Sequence, residues 1–137
     1  MTSTQPGAGA IRVLIADDTP DIRLLLGLAL NLAGDFEVVG EAENGDAAVQ
    51  MAVTLQPDIV LLDLAMPVKD GLQAIPEIVV GVPSALIVVL SGFGADTMAG
   101  EAVARGAHDY VQKGINPTEL TDRLRRLHAD RGVGSTR

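Results

Sequence analysis

Four apolar residues in a row, Ile59 to Leu62, stop abruptly at a carboxylate, Asp63, and the chain breakers Met66-Pro67 and Asp70-Gly71 follow at once. A short, uninterrupted, mostly branched apolar run is the mark of a strand buried on both faces, as in a parallel sheet. Pro67 and Gly71 then stop the strand and turn the chain. This limits the fold severely, because both faces of such a sheet must be covered. It also places Asp63 at the carboxyl end of a central strand, on the rim where open α/β sheets bind ligands. An acid at that position does nothing for packing.

The rest of the sequence supplies the covering. Ile11–Ala16 reads as a first strand, closed by Asp17-Asp18. Thr19-Pro20 looks like a helix cap followed by proline at the first position, and Ile22, Leu25, Leu26 and Ala29 form a helical stripe that Gly34 and Asp35 close. Glu37–Ala42 is a shorter, more polar strand, suited to a place near an edge. Asn44-Gly45-Asp46 starts a second helix, with Ala47, Ala48, Met51 and Leu55 on one face and Pro57 as its stop. Asp58–Leu62 is the third strand. Between Leu72 and Val80, Pro76 should shorten or kink any helix. Leu86–Leu90 is again purely apolar and leads to Ser91. Ala95–Arg105 reads as a weak helix, because Thr97 has low propensity and Gly100 costs about 1 kcal/mol against Ala; Gly106 caps it. His108–Gln112 is a fifth strand, followed by Lys113. Asn116-Pro117-Thr118-Glu119 opens a last helix with Leu120, Leu124 and Leu127 buried. Strand and helix thus alternate five times. The pattern implies an α/β, doubly wound, five-stranded parallel sheet with right-handed crossovers and helices on both faces. Residues 11–129 form the domain, with 1–10 a disordered leader and 130–137 a flexible tail.

Composition narrows the function classes. The 137 residues suffice for one domain with a real core. With no cysteine, disulfides and thiolate metal sites are excluded. No charge-free apolar stretch is long enough to span a membrane, and the first ten residues lack the pattern of a signal peptide, so a cytoplasmic protein is expected. A net charge of −8 argues against direct nucleic-acid binding through a basic surface, and suits a chain that holds a cation or meets a basic partner.

Asp17-Asp18, Asp63, Ser91 and Lys113 all fall at the carboxyl ends of expected strands, on one rim. Two like charges about 4 Å apart repel by roughly 4 kcal/mol at an effective dielectric of 20. Such a cluster must protonate, pair with Lys113 or hold a cation. Oxygen ligands with open positions suit Mg²⁺. Lys113 could hold a phosphate as a point charge, with Ser91 donating a hydrogen bond to it. A carboxylate beside the ion can be a nucleophile toward phosphorus. Each residue also has a plainer reading. A lone Asp could cap the next helix, Ser91 could be a turn residue and Tyr110 partial core. Lys113, Lys69, His108 and His128 could be solvated surface groups. The stretch Gly92-Phe93-Gly94-Ala95-Asp96-Thr97 only half resembles a dinucleotide loop and is discounted. The ordered set carries the signal.

That set resembles the receiver domain of bacterial two-component response regulators. The residues are Asp17-Asp18 after the first strand, Asp63 to Gly71 after the third, Ser91 after the fourth, and Tyr110 with Lys113 around the fifth. The wording around Val39 to Ala42 and Gly106 to Gly114 is similar to receivers that precede a helix-turn-helix domain, for which no room follows Leu127, so a stand-alone receiver is expected. The resemblance implies a flavodoxin-like strand order of 2-1-3-4-5. It implies Asp63 as phosphoacceptor from a sensor histidine kinase or phosphotransfer protein, and Mg²⁺ held by Asp18, Asp63 and the Ala65 carbonyl, with Asp17 acting through water. Lys113 would pair with the phosphoryl group, and Ser91 and Tyr110 would switch the face formed by helix 4, strand 5 and helix 5. That face would meet a downstream target protein and could serve a homodimer. The activity implied is self-phosphorylation and self-dephosphorylation only. The sequence departs from the family at Gly114, where proline in a cis bond is common, at Pro76, and at Ala65, which has no polar side chain. Three other readings compete: a pseudo-receiver acting without phosphorylation, a receiver fragment whose DNA-binding domain has been cut away, and a Mg²⁺-dependent phosphohydrolase with an aspartyl-phosphate intermediate. The hydrolase would want a second acid where Ala65 stands.

Overall fold

The computed structural model describes residues 9–92 and 96–134. The expected leader therefore lies almost entirely outside the described residues, as do Phe93, Gly94 and Ala95 of the glycine-containing stretch. Ten elements alternate: β1 (Ile11–Ala16), α1 (Pro20–Ala33), β2 (Phe36–Ala42), α2 (Gly45–Leu55), β3 (Ile59–Asp63), α3 (Gly71–Gly81), β4 (Leu86–Ser91), α4 (Asp96–Arg105), β5 (Asp109–Gln112) and α5 (Pro117–Gly134). The strands form one sheet in the order β2-β1-β3-β4-β5, with every neighbouring pair parallel. The polar strand β2 is an edge, as its composition suggests.

Period-two alternation splits the apolar strands between two cores. Val13, Ile15, Ile59, Leu61, Val88 and Leu90 face one side, where Leu30 of α1 and Leu120 and Leu124 of α5 meet them. Leu14, Ala16, Val60, Leu62, Ile87 and Val89 face the other, against α2, α3 and α4. Because β1, β3 and β4 are buried on both sides, their carboxyl ends are held rigidly, and that rim carries the site.

The helix starts explain the loops around the rim. Asn44 accepts the Ala47 N–H at 2.8 Å, and Asn116 accepts those of Thr118 and Glu119, as expected of their caps. Asp70 and Gln73 form a reciprocal capping box at the start of α3, so Asp70-Gly71 is a helix start rather than a simple turn; Asp-x-x-Gln is the readable signal. Thr19 occupies the cap position of α1, but its side chain makes no cap hydrogen bond.

Four expectations need correction. Pro76 does not shorten α3, which runs eleven residues around it. A proline there removes the N–H that would bond the carbonyl four residues back, which is that of Leu72. The Arg105 guanidinium, at the end of α4, donates to that carbonyl at 3.1 Å instead. On α1, Leu25 is not buried but 62% exposed, whereas Leu30 is wholly buried. The buried face is rotated, and Leu24, Leu25, Leu28 and Leu32 form an exposed apolar stripe. The last helix continues to Gly134, into the stretch read as a tail. Finally, His108 lies just before β5 rather than opening it; it is exposed, as expected, but tethered. Its N–H donates to the Ile87 carbonyl at 2.8 Å, and its ring Nδ1 accepts the Ile87 N–H at 3.0 Å. Among the described residues, no helix is long and apolar enough to cross a membrane.

Candidate functional site

The ends of β1, β3 and β5 bring three carboxylates and one ammonium together. Asp17 follows β1 and is wholly buried, and Asp63 ends β3 at 2% exposure. Asp18 is exposed, yet one carboxylate oxygen from each of Asp17, Asp18 and Asp63 lies within 4.8 Å of the others. Lys113 enters from the far side of the sheet. Its backbone N–H donates to the Ser91 carbonyl at 2.8 Å, which extends the β4–β5 pairing by one rung. Its Nζ sits 3.1 Å from Asp17 Oδ2 and 2.9 Å from Asp63 Oδ2. The described residues contain no cis peptide bond, and Gly114 turns the chain with φ of 95°, so the lysine reaches its partners without a proline after it.

The first oxygen of each buried acid is fully engaged locally. Asp17 Oδ1 accepts the Thr19 N–H at 2.8 Å, and Asp63 Oδ1 accepts the Ala65 N–H at 3.1 Å. The second oxygens, Asp17 Oδ2 and Asp63 Oδ2, are buried without a hydrogen-bond partner among the described residues. Each pairs by charge with Lys113. Two buried, hydrogen-bond-starved carboxylate oxygens beside an exposed third acid are an unfinished coordination shell. An all-oxygen set of this kind fits a hard divalent cation that keeps some waters, as Mg²⁺ does.

Electrostatics agree. Burial pushes the Asp63 carboxyl above its usual range; the ammonium of Lys113 and the Ala65 N–H pull it down, and the neighbouring Asp17 charge pushes it up again. Burial opposes the charge of Lys113, but its contacts with Asp63 and Asp17 prevail and raise its pKa. The ammonium is therefore favoured in its charged form, and it part-neutralises the acidic cluster.

The other expected site residues stand nearby in different ways. Ala65 is exposed just beyond Asp63. Ser91 is buried at the end of β4, and its hydroxyl faces the Val111 carbonyl at 3.5 Å rather than the acids. Tyr110 on β5 is 36% exposed and lines a cleft of about 430 Å³ with Gln112, Lys113 and Arg123. Lys69 is no solvated charge: it bridges Asp46 of α2, at 3.3 Å, and Glu77 of α3. Its carbonyl lies against Gly45, where any Cβ would collide with it. This clamps the β3–α3 loop. Within that loop the Lys69 N–H donates to the Pro67 carbonyl at 2.8 Å, and Val68 between them has φ of 69°. That is a strained three-residue γ-turn, with a β-branched, 78% exposed side chain at its apex.

One residue of the site went unread in the sequence. Arg23, at the end of the first turn of α1, donates from Nη1 to the Asp17 carbonyl at 2.6 Å and from Nε to Glu41 of β2 at 3.1 Å. Only its place four residues after the Thr19 cap marks it beforehand.

Comparison with known proteins gives a consistent result. Residues 13–125 match the family model of the response regulator receiver domain. The chain is 40% identical over 116 residues to the chemotaxis protein CheY of Thermotoga maritima, covering 85% of this chain and 96% of that protein. It is 36% identical over 115 residues to the transcriptional regulatory protein LiaR of Bacillus subtilis, where it covers 54% of the longer protein. Among solved structures, the signal receiver domain of the response regulator NarL from Mycobacterium tuberculosis superposes with a TM-score of 0.81 at 30% identity, covering 88% of this chain and 97% of that one.

Proposed function

This chain belongs to the response regulator receiver domain family, and on that premise we propose that Asp63 is its phosphoacceptor, with Lys113, Asp17 and Asp18 completing the reactive pocket. Receiver domains are signalling proteins that interact with histidine kinases and downstream targets, and the CheY-like character of this chain fits phosphorylation-activated switching. An oxygen of Asp63 attacks the phosphorus of a phosphohistidine on the donor protein. A P–O bond forms as the P–N bond breaks, and its electron pair leaves with the imidazole nitrogen. Positioning and charge neutralisation are most of what this transfer needs. Lys113 Nζ, already 2.9 Å from Asp63 Oδ2, faces the incoming phosphoryl oxygens. Asp18, Asp63 and the Ala65 carbonyl would hold Mg²⁺, with Asp17 acting through water. The ion supplies Lewis-acid stabilisation of the transferring group when bound. Ser91 then gives up the long contact to Val111 for the phosphoryl group, and the half-exposed Tyr110 turns inward, changing the α4–β5–α5 face offered to a target protein or a second copy.

The single observation that carries this reading is the pair of buried, unbonded oxygens on Asp17 and Asp63 beside the Lys113 ammonium. The donor has an approach surface. The exposed leucines of α1 flank an apolar cleft of about 280 Å³, lined by Ile22, Leu25, Leu26, Ile115, Pro117 and Leu120, that ends at Lys113. The setting proposed is the cytoplasm. A pseudo-receiver is not favoured by an intact acid–lysine set, and a phosphohydrolase is not favoured where Ala65 stands in place of a second acid.

The test is incubation with acetyl phosphate and Mg²⁺ followed by intact mass. Wild type should gain one phosphoryl group only when Mg²⁺ is present, and Asp63→Asn should gain none. An unlabelled wild type, under conditions that label a control receiver, overturns the reading.

A further inference from the structure

The loop that carries Asp17 and Asp18 has two anchors. One is the Asp17 N–H, which donates to the Ala42 carbonyl at 3.0 Å. The other is Arg23. The Asp17 carbonyl lies beyond the end of β1, and the Arg23 guanidinium takes it at 2.6 Å. The same guanidinium pairs with Glu41 at 3.1 Å, and the arginine side chain is only 15% exposed against 51% for the glutamate. Its backbone is fixed as well, since the Arg23 N–H donates to the Thr19 carbonyl at 3.2 Å. Arg23 thus ties the β1–α1 loop to the end of edge strand β2 and to the first turn of α1. A loop with adjacent carboxylates, facing a third, tends to open under their repulsion, and the guanidinium opposes that opening.

We propose that Arg23 is a positioning residue for the acidic pocket, holding Asp17 and Asp18 at the spacing that takes up a divalent cation. The proposal rests on the reading of the pocket given above. The Arg23 side chain bonds no carboxylate of the pocket; it acts through the Asp17 peptide. Positioning and simple charge make opposite demands here. If only charge mattered, removing a cation and freeing Glu41 would strengthen cation binding. If position matters, removing Arg23 weakens it.

The experiment is a MgCl₂ titration of the whole chain, followed by the ¹H–¹⁵N shifts of the Asp18, Thr19, Asp63 and Ala65 amides. It would use wild type, Arg23→Gln, Arg23→Lys and Glu41→Gln, with a denaturation midpoint for each. Residues that orient metal ligands typically contribute 10–100-fold in affinity, so the Kd for Mg²⁺ should rise about tenfold in Arg23→Gln. Arg23→Lys, which keeps one donor toward the Asp17 carbonyl, should fall between that variant and wild type. Glu41→Gln, which leaves the Asp17 contact in place, should stay close to wild type. A Kd in Arg23→Gln that is unchanged or tighter overturns the proposal, including when the midpoint falls, because that is the signature of a merely structural brace. If Arg23→Gln does not fold, an unchanged Kd in Arg23→Lys together with a raised Kd in Glu41→Gln overturns it equally, because that is the pattern of charge alone. Wild type without any Mg²⁺-dependent shift removes the proposed function and this inference together, whereas a binding wild type with an unaffected Arg23→Gln removes the inference alone.

Discussion

Pro76 and Arg105 should be energetically coupled although they lie on different helices. Arg105→Met keeps an apolar stem and removes the donor to the Leu72 carbonyl. That carbonyl has no partner four residues ahead in its own helix, because residue 76 is proline. Leaving a buried acceptor unpaired costs about 1–3 kcal/mol. The Arg105 side chain is part-exposed, so water reaches the vacated position and the lower end applies, about 1 kcal/mol. Loss of the exposed ion pair with Glu101 adds no more than about 0.5 kcal/mol. Pro76→Ala restores an N–H aimed at the same carbonyl. An interior proline is disfavoured by about 3 kcal/mol against alanine, but part of that is already relieved by Arg105, and the proline restrains the unfolded chain by about 0.4–1 kcal/mol. A net stabilisation of about 1–2 kcal/mol is expected. In the Pro76→Ala background the carbonyl no longer needs Arg105, so Arg105→Met should then cost only the ion pair. The difference, about 1 kcal/mol, is the coupling. Urea unfolding followed by circular dichroism on the four proteins of the cycle measures it, provided the m-values agree. Independent sites add to within about 0.3–0.5 kcal/mol. A cycle additive within that margin would show that the Leu72 carbonyl gains nothing from Arg105, and the account of how α3 tolerates its proline would be wrong.

Two further outcomes follow from the site. The folded state holds the Asp63 proton more tightly than the unfolded chain does, because burial raises its pKa, so ionising Asp63 as pH rises takes stability away. Asp63→Asn should therefore be more stable than wild type at neutral pH, with the gap closing in acid; a destabilised variant at neutral pH would contradict the reading of the pocket as strained by its own charge. Val68→Gly should raise the unfolding midpoint, because relief of about 1–3 kcal/mol of left-handed strain exceeds the roughly 0.5–1 kcal/mol of added chain entropy. A lower midpoint would mean that the exposed Val68 side chain makes stabilising contacts after all.

Much of the architecture was legible because it depends on local pattern. The runs ending at Ala16, Leu62 and Leu90 are apolar through and through, which only a doubly covered sheet explains, and the caps at Asn44 and Asn116 carry their own chemistry. Asp17, Asp18, Asp63 and Lys113 were legible for the same reason: strand ends of a parallel sheet share a rim, so three stretches far apart in sequence can be placed together from pattern alone. What escaped depends on partners that pattern does not encode. Leu25 fits a helical stripe as well as Leu30 does, and only the seating of α1 on the sheet decides between them. Pro76 is read as a break because its rescuer, Arg105, is 29 positions away and on another helix. Lys69 looks solvated until Asp46 and Glu77 converge on it. Arg23 has no motif at all; its importance lies in a peptide carbonyl, which every residue has and no sequence distinguishes.

The imidazole of His108 has a practical consequence. Because Nδ1 accepts the Ile87 N–H, the ring proton must reside on Nε2, so a single tautomer is selected at the junction where α4 hands over to β5. The two tautomers and the imidazolium have well-separated nitrogen resonances. The chain has no tryptophan and one tyrosine, so optical handles are scarce, yet this ring, enriched in ¹⁵N, reports from the seam between α4 and β5. Its nitrogen spectrum would read out whether that seam stays latched when a phosphodonor and Mg²⁺ are added, with no foreign probe introduced.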